Sequence, residues 1–360
     1  MTRTKAVMPL DTVICADCID VMRSMPAESV DLIFADPPYF LRLNGDLRRP
    51  DASMVDAVSD SWDRFESPKD YDRFTRRWLT AARRLLKPTG TLWVIGSYHN
   101  IFRVGAALMD AGYWILNDVV WIKNNPMPQM KGVRFCNAHE TLIWARRSAE
   151  SKGYTFHYRE LKAGNEDVQM RSDWYFPICS GRERETVGGK KAHSTQKPEA
   201  LLRRIISATS NPGDVVLDPF CGSGTTAAAA KALGRRYVTI DREPEYVNVA
   251  RARLESVRVE PAGSGTPLLG APPTRVRFAS LVEQGVLAAG TRLRLKGTGK
   301  TATVQLDGTV ECDGLRGSIH KVAALQKGAA SANGWTEWLL EDVQGVEQPL
   351  DILRTAPETV

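Results

Sequence analysis

No stretch of the 360-residue sequence approaches the roughly 20 consecutive apolar residues that a membrane-crossing helix needs. Met1–Leu10 likewise lacks the apolar core of a secretion signal. Cysteine is sparse: six thiols in a chain this long build no dense disulfide framework, and reduced side chains in a cytoplasmic protein are expected. Cys15-Ala-Asp-Cys18 has the spacing of a redox or zinc pair. Neither a second such pair nor a histidine pair accompanies it, so no metal is expected. Charge of one sign does not dominate either, with 48 Lys and Arg against 42 Asp and Glu. The surplus of +6 permits a polyanionic partner without requiring one. It lies wholly before Ala271, because acids and bases balance from there onward.

What the sequence contains is alternation of strand-like and helix-like segments, the pattern of a doubly wound α/β sheet. Apolar runs at Thr12–Asp17, Val30–Ala35, Thr91–Ile95, Trp114–Ile122 and Thr141–Ala145 read as strands, with Pro88-Thr-Gly90 as a turn. Cys18–Met25, Tyr71–Leu86 and Ile101–Ala111 read as helices, the second with an arginine-rich outer face. Between Lys123 and Lys191 the pattern breaks down into amides, bases and aromatics, a composition suited to hydrogen bonding and stacking with bases. A helix is expected over Glu199–Thr209, and a second α/β stretch runs to Val257. Residues 1–258 are therefore taken as one domain with an insertion at about 123–191. Residues 259–274, rich in Pro and Gly, are taken as a linker. A small α+β domain is expected over 275–360, with an Asp307-Gly308 hairpin turn.

Two loops carry the chemistry. The first, Asp36-Pro37-Pro38-Tyr39, follows a buried strand and falls at its C-terminal end, where open α/β sheets bind ligands. One carboxylate, proline-fixed carbonyls and an aromatic ring suit a flat base bearing an amino group. An ordinary Pro-Pro turn is the plain alternative. The second loop, Pro219-Phe-Cys-Gly-Ser-Gly-Thr-Thr226, lies between strand Asp214–Asp218 and a helix over Ala227–Leu233. Tyr237–Ile240 then makes a strand ending in Asp241, placed to accept from two ribose hydroxyls.

Gly222-Ser-Gly224-Thr-Thr-Ala227 also fits a dinucleotide fingerprint, so an NAD-dependent oxidoreductase is an alternative. Asp218 tilts the choice, because a carboxylate there repels a pyrophosphate and attracts an ammonium. S-adenosylmethionine carries an ammonium and a sulfonium. His193-Ser-Thr195-Gln-Lys197-Pro198 precedes the next helix, and Lys197 is placed to reach a cofactor carboxylate.

Asp36–Tyr39, His193–Pro198 and Asp218–Gly224 resemble, in content and order, three motifs of the amino-methylating DNA methyltransferases of the β class. The chain is further similar to the cell-cycle-regulated adenine methyltransferases (CcrM type) and their restriction-associated relatives. Leu43–Asp51, Gly96–Arg103, Asn137–Trp144 and Gln169–Trp174 carry that similarity. Gly317–Lys321 and Asn333–Trp338 resemble the associated C-terminal domain. Cys221–Gly224, less bulky than in those relatives, and His193-Ser-Thr195, with no proline after the histidine, depart from the pattern.

The resemblance implies a permuted Rossmann-like methyltransferase that transfers a methyl group from S-adenosylmethionine to N6 of a flipped adenine in double-stranded DNA. It also implies a GANTC site and a homodimer. An N4-cytosine methyltransferase is the near alternative, whereas a C5 enzyme is disfavoured because no Pro-Cys pair occurs. Asp36 and the Pro37 carbonyl are expected to accept the amine hydrogens, beside Pro38, with Tyr39 stacked on the base. Cofactor contacts are expected from Asp17, His193, Thr195, Lys197, Asp218, Phe220, Gly222, Ser223, Gly224, Thr225, Thr226 and Asp241. For DNA, Arg48, Trp62, Asn125, Arg134 and Arg171 are named in the large domain, and Ser318, Asn333, Trp335 and Arg354 in the tail.

Overall fold

The computed structural model describes residues 7–41, 63–129, 132–165, 168–261, 278–341 and 346–354. The chain divides into two compact units, 1–271 and 272–360. The expected linker, 259–274, lies for its greater part outside the described residues, as do Arg48 and Trp62.

The first unit opens with β1 (Thr12–Cys15), α1 (Cys18–Ser24) and β2 (Val30–Ala35). There follow α2 (Pro68–Leu85), β3 (Leu86–Gly96), α3 (Ile101–Asp110), β4 (Trp114–Lys123) and β5 (His139–Arg146). Short elements occupy the irregular region: α4 (Tyr158–Ala163), β6 (Asp173–Phe176), β7 (Thr186–Val187) and β8 (Lys190–Lys191). The unit closes with α5 (Glu199–Thr209), β9 (Val215–Asp218), α6 (Thr225–Ala232), β10 (Arg236–Asp241) and α7 (Pro244–Ser256).

Helix α2 shows why these segments fold locally. Ser67 caps it by accepting from the Asp70 amide, Pro68 takes its first position, and Tyr71, Trp78, Leu79, Ala82 and Leu85 are buried. Two of its arginines turn inward rather than lying in water: Arg83 donates to the Arg147 carbonyl, and Arg84 to those of Met22 and Met25.

The eight-stranded sheet has the order β1-β10-β9-β2-β3-β5-β4-β6. Strands β1, β10, β9, β2 and β3 are parallel, and β5 is antiparallel to both neighbours. Strand β9 lies beside β2, with Leu32 opposite Val216 and Ile33 opposite Leu217. Cys15 is opposite Asp241 and Thr239 opposite Asp218, so β1, β10, β9 and β2 end at one edge. Each face buries its own core. Ile33 and Ala35 cluster with Trp78, Leu79 and Leu108, while Leu32 and Phe34 cluster with Leu201, Ile205 and Ala228.

The expected turn at Pro88–Gly90 is instead a bulge inside β3, since Val30 pairs with Leu86 but Leu32 with Thr91. A Cβ on Gly90 would stand 2.9 Å from the Val30 carbonyl oxygen, too close for any other residue.

The second unit starts with α8 (Phe278–Glu283) and carries β11 (Arg292–Leu295), β12 (Thr301–Val304), β13 (Val310–Cys312) and β14 (Leu315–Gly317). After α9 (Ile319–Lys327) and α10 (Gly334–Glu337) come β15 (Trp338–Glu341) and β16 (Glu347–Pro349). The six strands pair antiparallel in the order β14-β13-β12-β11-β15-β16. Leu293, Leu295, Val304, Ile319 and Trp338 form its core.

Candidate active site

Because β1, β2, β9 and β10 end together, the loops that follow them enclose one cleft. It is lined by Asp17, Asp36–Tyr39, His193, Thr195–Lys197, Asp218–Ser223, Thr225, Thr226 and Asp241, among others. The two loops singled out in the sequence thus meet, although they lie more than 180 residues apart.

The Asp36 loop is held from several sides. Phe40 adopts φ of 55°, an unusual conformation for a bulky residue, and its amide donates to Asp63 Oδ1 at 2.7 Å. The next amide, of Leu41, donates to Asp63 Oδ2 at 2.6 Å. The Pro38 carbonyl accepts from the Tyr71 hydroxyl at 2.9 Å and from Asn100. Among the described residues none donates to the Pro37 carbonyl, which leaves it open. An aromatic chain links this loop to the other: Phe40 stacks on Tyr71, Phe65 meets both, Phe74 follows, and Phe220 packs against Phe74 and Trp78. Asp63, Tyr71 and Asn100 were not visible as site residues in the sequence, since each acts on backbone far along the chain.

Lys197, read from the sequence as a partner for a cofactor carboxylate, places Nζ 2.6 Å from Asp36 Oδ2 and 5.1 Å from the centre of the Tyr39 ring. Two buried carboxylates draw it there, Glu140 being 3.9 Å away. Burial alone would lower its pKa, but Asp36 and Glu140 together raise it, so the ammonium stays charged. Glu140, on β5, also takes Lys123 at 2.8 Å and the Tyr39 hydroxyl at 2.9 Å. Burial opposes its charge, yet Lys197 and Lys123 hold it below the usual carboxylate range.

Asp36 itself is raised by burial, against the pull of Lys197. Its side chain is 17% exposed, yet Oδ1 is enclosed and accepts no hydrogen bond. The Tyr39 hydroxyl has one proton, and Glu140 takes it.

The other end of the cleft is differently charged. Burial first, then Asp36 and Asp241, push the Asp218 carboxyl up to about 7, although the Phe220 amide and the Thr226 hydroxyl bond to it. Asp241 accepts from the Gly222 and Glu243 amides at 2.8 and 3.0 Å, and a carboxylate retains further lone pairs for a ligand. Asp17 caps α1 by accepting from the Ile19 amide at 2.8 Å. Gly224 is the N-cap of α6, so the first amides of that helix lie at the end of the loop. Ser223 is buried there, and Thr225 accepts from Arg253. His193, brought down to about 4 by burial and then by Lys197 and Arg184, is neutral and packs on the loop. A Cβ on Gly222 would come within 3.2 Å of its Nε2. Gln196 supports the edge by bonding the Glu185 amide and the Glu183 carbonyl.

The described residues expected on DNA in the first unit each have a partner within it. Asn125 accepts from the Ile178 amide, Arg134 donates to the Tyr98 hydroxyl, and Arg171 pairs with Asp173. In the tail the residues expected on DNA also have roles in the fold. Ser318 caps α9, Asn333 caps α10, and Trp335 is buried with Arg354 over its ring. Arg354 also pairs with Asp351.

A cleft that joins an acidic glycine loop to an Asp-Pro-Pro-Tyr loop at one sheet edge is that of a methyltransferase acting on amino groups. A family model described as DNA methylase matches residues 30–252, and the chain belongs to this N6/N4 DNA methylase family. It is 44% identical over 332 residues to the type II methyltransferase M.HinfI of Haemophilus influenzae, covering 92% of each chain. To the type II methyltransferase M2.DpnII of Streptococcus pneumoniae it is 42% identical over 241 residues, covering 67% of this chain and 88% of that one. Among solved structures, the M1.HpyAVI complex with S-adenosylmethionine matches with a TM-score of 0.51 and 26% identity, over 68% of this chain and 98% of that one. No described helix is long and apolar enough to cross a membrane, and no group of possible metal ligands occurs among the described residues.

Proposed function

We propose that this DNA methyltransferase transfers a methyl group to N6 of an adenine swung out of duplex DNA, within a GANTC sequence. The observation that carries this reading is the enclosed, unpartnered Oδ1 of Asp36 beside the open Pro37 carbonyl. A buried acceptor without a donor costs free energy, and the amino group of a base supplies two donors. Entry of the base turns the Asp36 carboxylate about its soft Cβ–Cγ torsion and presents that oxygen. The amine inside a duplex is hidden by pairing, so the nucleotide must leave the stack.

The methyl donor is S-adenosylmethionine, which supplies an electrophilic methyl group on a sulfonium. Asp218, Asp241 and the start of α6 would hold it, Asp218 facing its cationic part. The chain's own work is then orientation. Asp36 Oδ1 and the Pro37 carbonyl fix the two amine hydrogens and aim the nitrogen lone pair, and such alignment contributes up to roughly 7–11 kcal/mol. Tyr39 covers the base. The proton that nitrogen sheds after transfer faces Oδ1, whose basicity burial has raised. The GANTC site and a homodimeric state rest on the resemblance of the whole sequence, tail included.

Transfer of tritiated methyl groups to plasmid DNA, followed by nucleoside analysis, tests the base. N6-methyladenine is the expected product, and N4-methylcytosine alone would overturn the reading. Methylome sequencing of a host expressing the chain reads the target sequence.

A further inference from the structure

Glu140 is a buried carboxylate for which the mechanism above has no use. It is the second residue of β5, next to Thr141, which pairs with Gly96 at the end of β3. It therefore faces the edge to which β2 delivers the Asp36 loop. Both of its oxygens are engaged: Oε1 with Lys123 at 2.8 Å, Oε2 with the Tyr39 hydroxyl at 2.9 Å and, at 3.9 Å, with Lys197. The Tyr39 hydroxyl is also within hydrogen-bonding influence of Asp36, whose carboxyl it holds down. Two carboxylates thus compete for one phenolic proton. Glu140 holds it, and Asp36 Oδ1 is left without a donor.

We propose that Glu140 is a positioning residue that draws the Tyr39 proton away from Asp36, so that the acceptor needed by the substrate amine is not capped from within the protein. The inference rests on Asp36 as the acceptor of the amine. Without Glu140 the Tyr39 hydroxyl turns to the next carboxylate, Asp36, and fills Oδ1 before a base arrives. Glu140 has a second effect through charge. It shares the Lys197 ammonium with Asp36, while Lys123 offsets its own charge from β4. The charged and titratable groups facing Asp36 are then Lys197 from the segment before α5, Glu140 from β5, Tyr39 on its own loop and Asp218 from β9.

A double-mutant cycle on the full-length enzyme separates this role from mere support. Glu140→Ala is expected to lower kcat for DNA methylation roughly 10- to 100-fold, the scale of a hydrogen bond to a charged group. Tyr39→Phe removes the hydroxyl that would otherwise occupy Asp36. Added to Glu140→Ala, it is expected to restore kcat to near that of the Tyr39→Phe enzyme. A double variant as slow as Glu140→Ala, or slower, overturns the proposal.

Glu140→Gln guards against loss of fold, because an amide oxygen of similar size still accepts from Tyr39. It is expected to retain most of kcat. Its pH profile must change, since Glu140 raises the Asp36 carboxyl and its neutral replacement does not. The acid limb of kcat is expected to move to lower pH, and an unmoved limb counts against the proposal. Failure of the wild-type enzyme to methylate adenine would instead overturn the assigned reaction, which the same nucleoside analysis reports separately.

Discussion

The two ends of the cleft are both built from buried carboxylates, but they are neutralised in opposite ways. At the Asp36 end every acid has a lysine: Lys197 sits on Asp36, and Lys123 on Glu140. At the Asp218 end, among the described residues, no lysine hydrogen-bonds to an acid, and Lys197 acts on Asp218 through charge alone. Asp218 and Asp241 are met there by backbone amides and a threonine hydroxyl. The difference separates two tasks. On the proposed function, the site that accepts hydrogens from a neutral amine keeps its charge fixed by the protein, whereas the site for a cationic ligand leaves its charge to be met by that ligand.

The sharpest way to break this contrast is to remove one acid from each end. Asp36→Ala should lower kcat by roughly 10- to 150-fold or more, with cofactor affinity little changed, as single-turnover rates and isothermal titration would show. Asp218→Asn should do the reverse, weakening S-adenosylmethionine binding by roughly 10- to 100-fold, because it removes a charge-assisted partner. Equal losses of affinity in both variants would erase the distinction.

Protonation offers a gentler test. With the Asp218 carboxyl at about 7 in the free protein, a cationic ligand must draw it into its ionised form and release a proton. Affinity should therefore rise with pH, by roughly tenfold between pH 6 and pH 8, and level off above. Asp218→Asn should flatten that dependence. At the catalytic end, Tyr71→Phe removes the donor to the Pro38 carbonyl, and about 1 kcal/mol of loop support predicts a several-fold rise in KM for DNA. The smallest effect is expected in the tail. Ser318→Ala should destabilise α9 by about 1 kcal/mol in a melting experiment, and leave cofactor affinity as it was.

The sheet was legible because its strands are apolar runs bounded by turn chemistry, and β2, β9 and β10 fall where that pattern places them. The meeting of the two loops was legible too, through the order of their motifs. The closure of Lys197 on Asp36 was not, because the pair lies 161 residues apart and nothing local distinguishes a buried lysine from a solvated one. Glu140 was hidden for the same reason. In the tail, Ser318 and Asn333 carry polar groups that suit a base edge or a helix cap equally well, and only the backbone around them shows the caps. Pro88–Gly90 has the composition of a turn, but the partner strand Val30–Ala35 pulls it into the sheet as a bulge.

The place of β9 beside β2 also governs how the molecule is made. Synthesis proceeds from the N-terminus, so β2 emerges long before its neighbour at Val215–Asp218. Until that strand arrives, one side of the Val30–Ala35 ribbon has no backbone partner, and an unpaired apolar edge invites association between chains. Closing a pair separated by so much sequence is slow, since the entropy of the intervening loop is lost before the contacts are gained. Nascent chains halted before about residue 215 should aggregate, while release after α7 should allow the sheet to close. The active site would then be among the last parts of the first unit to form.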